Sequence, residues 1–249
     1  IWSKLVCDMG EVILHDFRQS FWCRLIWTVV VIFGVLPGLV FAHDLSASNV
    51  QFVREADGTA IASFLYLGAK HMFTGIDHVL FLLGVMFFLS RIKDVLFYVT
   101  LFTLGHSFTL LFGVMMSWQV NVFLVDALIG LSIVYKALEN IQGFESLFNY
   151  SPNTAVAVFV FGLIHGLGLS TKLQEYIRLD DSLIGNLLSF NIGIELGQFV
   201  ALIFIVIGLR FWRQFPSFKA RSFQMNIILM CLGFTFFGLH MAGLFVSQV

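Results

Sequence analysis

His71, Asp77 and His78 stand in one short stretch, "HMFTGIDHVLFL", which passes from two imidazoles and a carboxylate straight into hydrocarbon. Imidazole suits Zn, Cu, Fe and Ni, and a carboxylate supplies compensating charge, so this trio is a donor set for a divalent transition metal. Local helix-end capping is the plainer use of Asp77 and His78. Three more ionisable groups interrupt apolar runs: His106 in "LGHSFT", His165 in "GLIHGLGLS" and Glu195 in "NIGIELGQ". An acid at the bilayer centre costs about 2.5–3.5 kcal/mol on the insertion scale, so such groups face the protein interior and pair. A bound cation would offset that cost. A proton path along His and Glu groups is the competing chemistry. For His106 and His165 an interhelix hydrogen bond is also open, with Thr103 and Ser107 near His106. For Glu195 the plainer use is a structural pair with a histidine.

Other polar groups take supporting places. Asn191, Glu195 and Gln198 are spaced i, i+4, i+7 and share one helix face; Asn191 and Gln198 read as packing or supporting groups. His71 and His78, at i and i+7, share a face if the helix continues through Gly75. Gly162-x-x-x-Gly166 brackets His165 and Gly193-x-x-x-Gly197 brackets Glu195; small residues at that spacing let helices approach closely. His240, in the last apolar segment, is a secondary metal candidate. His43 is another, because cleavage before it would leave its amine and ring to chelate together. Asp126 reads as solvated near a span end. Tyr135, Lys136, Glu139 and Asn140 read as interface anchors whose charges snorkel to water.

The elements that must position these groups follow from composition. The chain has 249 residues, 59% hydrophobic and 12% charged. Soluble domains run nearer 45–50% apolar and about 25% charged, which makes this a polytopic membrane protein whose surroundings are lipid. A net charge of −1 predicts no nucleic-acid partner. Cys7, Cys23 and Cys231 have neither paired spacing nor CxxC form, so no disulfide or zinc framework is expected. No "GxxxxGK[ST]" or "GxSxG" occurs. Residues 1–42 read as an upstream extension followed by a signal peptide or anchor helix, with Arg18 and Arg24 before the run 25–42 and Val40-x-Ala42 as a small-residue cleavage form. Residues 43–70 read as a short outer segment, in which "NVQFVREADGTAIASFLYL" forms a β-hairpin turning at Asp57-Gly58.

The body, 71–249, is expected to be an all-α six-helix transmembrane bundle with apolar segments near 75–90, 94–116, 122–139, 154–172, 183–209 and 225–247. The first is short and extends backward through "FLYLGAKHMFTG". Basic loops at 91–93 and 210–221 mark the cytoplasmic side, which leaves the C-terminus outside a bacterial inner membrane. "FTLGHSFTLLFG" (102–113) resembles "FNIGIELGQFVA" (190–201), and "TGIDHVLFLLG" (74–84) resembles "FGLIHGLGLS" (161–170). These matches suggest two inverted three-helix repeats. On this orientation the polar groups fall between the middle and the outer surface.

At these residues the sequence resembles the HupE/UreJ family of hydrogenase and urease accessory proteins and nickel permeases. The resemblance rests on "HMFTGIDHVLFLLGV", "LGHSFTL", "GLIHGLGLS" and "FNIGIELGQ". It implies a signal peptide, six spans and nickel or cobalt uptake, with His71, Asp77, His78, His106, His165 and Glu195 as the metal residues. Nickel members tend to carry "HPxxGxDH", whereas this chain has "HMFTGIDH" and looks like a second branch of the family. The expected function is a permease for a divalent transition metal, nickel first, with cobalt, copper or zinc as alternatives. Two other readings stay open: an accessory subunit of a larger membrane complex, and an intramembrane metalloenzyme.

Overall fold

In the computed structural model, residues 60–174 and 182–247 are described, and among them every regular element is helical. The helices are α1 (Ile61–Thr74), α2 (Ile76–Met86), α3 (Ile92–Met115), α4 (Val122–Asn140), α5 (Gly143–Phe148), α6 (Thr154–Gln174), α7 (Leu183–Trp212) and α8 (Pro216–Val246). The run 25–42, His43 and the first arm of the expected hairpin lie outside the described residues. Its second arm is not a strand. From Ile61 it is helix α1, which buries Phe64, Leu67, Gly68 and Met72. Those positions recur at helical spacing, and that periodicity outweighs the short alternation read as β.

Among the described residues four helices, α3, α6, α7 and α8, are long and apolar enough to cross a membrane. The other two expected spans depart from uniform apolar rods. Over the first expected segment and its backward extension stand two short helices, α1 and α2, which break at Gly75, where ψ is 98°. A side chain at Gly75 would strike His78 Nδ1 at 2.8 Å and the His71 carbonyl at 3.0 Å, so the break leaves room for the imidazole. The third, α4, buries Asp126, Ser132 and Lys136.

Three close helix pairs organise the bundle, and glycine lets backbone meet backbone in each. α3 runs parallel to α6: a Cβ at Gly105 would lie 2.5 Å from Phe159 O, and one at Gly166 would lie 2.1 Å from His106 O. α1 runs parallel to α7, with Gly193 against Leu65 O and Gly197 against Ala69 O. α4 and α8 cross antiparallel at Gly130 and Gly233. Side-chain bonds join these pairs. Thr103 donates to Gln198 Oε1 at 2.9 Å and Ser107 to Asn191 Oδ1 at 3.1 Å, linking α3 to α7. Asn140 donates to Gly84 O and to Asn226 Oδ1, linking α4 to α2 and α8. Arg213 donates to the carbonyls of Met86, Phe87 and Leu89, closing the C-terminal end of α2 with a cation where the helix dipole favours one.

Candidate metal centre

Asp77 falls in the first turn of α2, where the helix dipole favours an acid. The break at Gly75 and the packing of α2 against its neighbours bring its side chain and that of His78 inward, to 4% and 3% exposure. Asp77 Oδ1 and His78 Nδ1 are 2.9 Å apart. With Nδ1–H donating to the carboxylate, Nε2 becomes the ring's acceptor nitrogen, the arrangement carboxylates impose on metal-binding histidines. His165 reaches the same place from α6 because Gly162 and Gly166 hold that helix against α3. Ser132 Oγ donates to Ile129 O at 2.7 Å and lies 3.5 Å from His165 Nε2. With its own proton engaged, the hydroxyl is placed to accept from Nε2–H, the tautomer that would leave Nδ1 as the lone-pair nitrogen of His165.

One ligand atom each from Asp77, His78 and His165 lie within 4.8 Å of one another, and all three residues are buried. Ligand bonds of about 2.0–2.2 Å place donors some 3–3.5 Å apart, so rotamer changes of about an ångström close this set on a small cation. Two more imidazoles adjoin it. The His71 ring is 5.1 Å from His78, and His106 is 6.2 Å from it. His106 is 1% exposed, and neither of its ring nitrogens has a hydrogen-bond partner among the described residues. The hydroxyls expected beside it, Thr103 and Ser107, bond instead to Gln198 and Asn191. Two buried imidazole nitrogens left this way cost free energy unless something binds them.

Other expected participants lie elsewhere. Glu195 is exposed, on the side of α7 that carries Leu188, Ile192, Leu196 and Phe199. Gly193 and Gly197 must face α1, and at 100° per residue that turns position 195 to the opposite side. Asn191 and Gln198 bridge α7 to α3 and serve packing. His240 belongs to a separate group: its Nδ1 is 3.8 Å from Asp126 Oδ2, which accepts from Lys172 Nζ at 2.8 Å. Asp126 is therefore not solvated but 7% exposed and ion-paired. Lys136 is likewise buried rather than snorkelling, 3.0 Å from Glu139, whose other oxygen accepts from Thr154. Lys136 and Glu139 are an i, i+3 pair on one helix face, whereas Asp126 finds Lys172 and His240 on other helices, which spacing along one segment does not reveal. Ser132, 33 positions from His165, was missed for the same reason.

Residues 47–248 match the family described as HupE / UreJ protein. The chain belongs to the HupE/UreJ family. No curated protein and no solved structure matches it. HupE/UreJ proteins are membrane accessory and transport-related proteins rather than enzymes, and the four long apolar helices agree with a HupE/UreJ chain set in a bilayer. In this HupE/UreJ protein the buried group Asp77, His78 and His165 is carried by the short helix α2 and the long apolar helix α6.

Proposed function

We propose that this HupE/UreJ protein is a permease for a divalent transition-metal ion, with nickel favoured and cobalt, copper or zinc as alternatives. Its cargo site is formed by Asp77, His78 and His165, with His71 and His106 adjoining. The observation that carries the reading is the convergence of a buried carboxylate and two buried imidazoles from α2 and α6 within 4.8 Å. Neutral imidazoles and a carboxylate match divalent first-row metals, and a dehydrated cation would balance the buried charge of Asp77. The cluster replaces part of the cargo's hydration shell and holds it until one side opens. The proposed body has six spans, counting α1–α2 as one broken span and α4 as another, in two inverted three-helix halves. The basic loops at 91–93 and 210–221 support a bacterial inner membrane with the C-terminus outside. A broken helix carrying the site and a site between halves are recurring features of secondary transporters.

The test is accumulation of radioactive or mass-quantified nickel and cobalt in cells at matched expression. Wild type should accumulate the metal and Asp77→Ala should fall to the level of cells lacking the protein; equal accumulation refutes the permease. One observation favours a second reading, an accessory subunit. An exposed acid, Glu195, lies among Ile192, Leu196 and Phe199 within an apolar span, a place that protein covers more favourably than lipid. Co-purification of a stoichiometric membrane partner, with no metal uptake by the chain alone, would support that reading.

A further inference from the structure

Two phenylalanines hold matching places against two imidazoles. The Phe102 ring is 5.0 Å from that of His165, and the Phe190 ring is 6.4 Å from that of His71. Both are enclosed, at 1% and 0% exposure. The match extends to the backbone. A Cβ at Gly162 would meet Phe102 O and His106 N; a Cβ at Gly68 would meet Phe190 O and Ile194 N. A Cβ at Gly105 would meet Phe159 O and Leu163 N; a Cβ at Gly193 would meet Leu65 O and Ala69 N. One operation therefore carries Gly68 to Gly162, His71 to His165, Phe102 to Phe190 and Gly105 to Gly193. It also exchanges α4 with α8, since Gly130 meets Phe237 N as Gly233 meets Val134 N. The register differs from the one the sequence suggests for the first helix: His71, not His78, corresponds to His165.

The geometry of this operation fixes what it does. α3 and α7 are antiparallel, because Thr103 pairs with Gln198 and Ser107 with Asn191. Asp126 near His240 and Asn140 near Asn226 make α4 and α8 antiparallel too. A two-fold that exchanges antiparallel helices lies perpendicular to them and swaps the two ends of the bundle. It also swaps His71 and His165, whose rings lie 5.1 and 4.9 Å from His78, so it passes through the cluster. Phe102 and Phe190 therefore stand on opposite sides of that cluster. The Phe102 side is thickened by Phe81, 5.3 Å away, which in turn lies 5.7 Å from Phe161. These three rings sit one helical turn from His106, His78 and His165 respectively, all toward the same end.

We propose that Phe102, backed by Phe81, and Phe190 are the two gates of the cargo pathway, related by an internal two-fold and withdrawn one at a time. A packed apolar ring excludes the water a partly hydrated cation needs, so each closes its end until it moves. Because the two halves are near-equivalent, the packing one half adopts around Phe102 is available to the other around Phe190. Both ends are closed here, and the motion that withdraws Phe102 has a two-fold-related counterpart that withdraws Phe190, so either end opens by the same kind of repacking. The cargo assignment rests on the permease reading; the gates rest on the geometry.

The experiment uses the full chain with Cys7, Cys23 and Cys231 replaced by Ser and a reporter, Ser132→Cys, beside His165. A charged, membrane-impermeant methanethiosulfonate labels the reporter in right-side-out and inside-out membrane vesicles. Phe102→Ala should raise the labelling rate roughly tenfold or more from one face, and Phe190→Ala should do so from the opposite face, as loss of a dewetting constriction requires. Phe102→Leu and Phe190→Leu, which keep apolar bulk, should stay near the parent rate. If an alanine variant fails to accumulate, Phe102→Val and Phe190→Val take its place with the same expectation. Labelling raised from one and the same face by both, or by neither, overturns the gates. Nickel uptake is followed in parallel vesicles of the chain that keeps Ser132 and carries no reporter, because Ser132 adjoins His165. Opposed labelling without uptake supports the gates and refutes nickel as cargo; uptake without opposed labelling refutes the gates alone.

Discussion

Gly68→Ala tests the packing that sets the histidines in place. The added Cβ would lie 2.0 Å from Phe190 O and 2.9 Å from Ile194 N. Both are main-chain atoms of α7, so no side chain can swing aside. Restoring an ordinary contact of at least 3.4 Å requires α1 and α7 to separate by about 1.4 Å. Overpacking of this kind costs typically about 1–3 kcal/mol. Alanine's better helix propensity returns about 0.8–1.0 kcal/mol, so a net loss of up to about 2 kcal/mol is expected. Gly208→Ala, on α7, is the control, since its Cβ meets no neighbouring atom within 4 Å and should show only the propensity gain. The assay is reversible unfolding of the purified full-length protein in mixed micelles against the mole fraction of dodecyl sulfate. Gly68→Ala should unfold at lower denaturant than wild type, and Gly208→Ala at the same or higher. If the two variants unfold together, the close crossing of α1 and α7 is wrong. His71, one turn beyond Gly68, should shift with the helix, so nickel affinity should fall in Gly68→Ala and hold in Gly208→Ala.

Further outcomes follow from the buried charges. Asp126→Ala leaves Lys172 facing a vacated partner. Its cost should sit toward the lower end of the roughly 3–5 kcal/mol typical of broken buried pairs, because the Lys172 side chain keeps 18% exposure. Adding Lys172→Met should recover part of that loss in the same unfolding assay; a double variant no more stable than the single would deny the ion pair. Glu195→Gln, off the cluster, should change the nickel affinity of the purified protein by less than about twofold, whereas loss of the carboxylate in Asp77→Asn should lower it about 10–100-fold, the range for groups that hold and orient metal ligands. Calorimetric titration distinguishes the two, and equal losses would place Glu195 in the site.

The residues alone carried the membrane class and the family. An apolar chain interrupted by His71, Asp77, His78, His106 and His165 states that membrane helices carry a polar site, because lipid penalises each such group separately. Glycine spacing around His165 and Glu195 announced close helix crossings. The sequence did not specify the direction in which each polar group turns. Position 195 carries an acid within the same i, i+4, i+7 set as Asn191 and Gln198, yet glycines 193 and 197 claim the inward face and rotate it away. Asp126 and Lys136 looked like span-end charges until their partners on adjacent turns and helices came into view. Ser132 beside His165, and Phe190 beside His71, are pairings between separate helices. Depth along a helix is written in the order of residues; azimuth and neighbour are set by which helices meet, and only the folded bundle decides that.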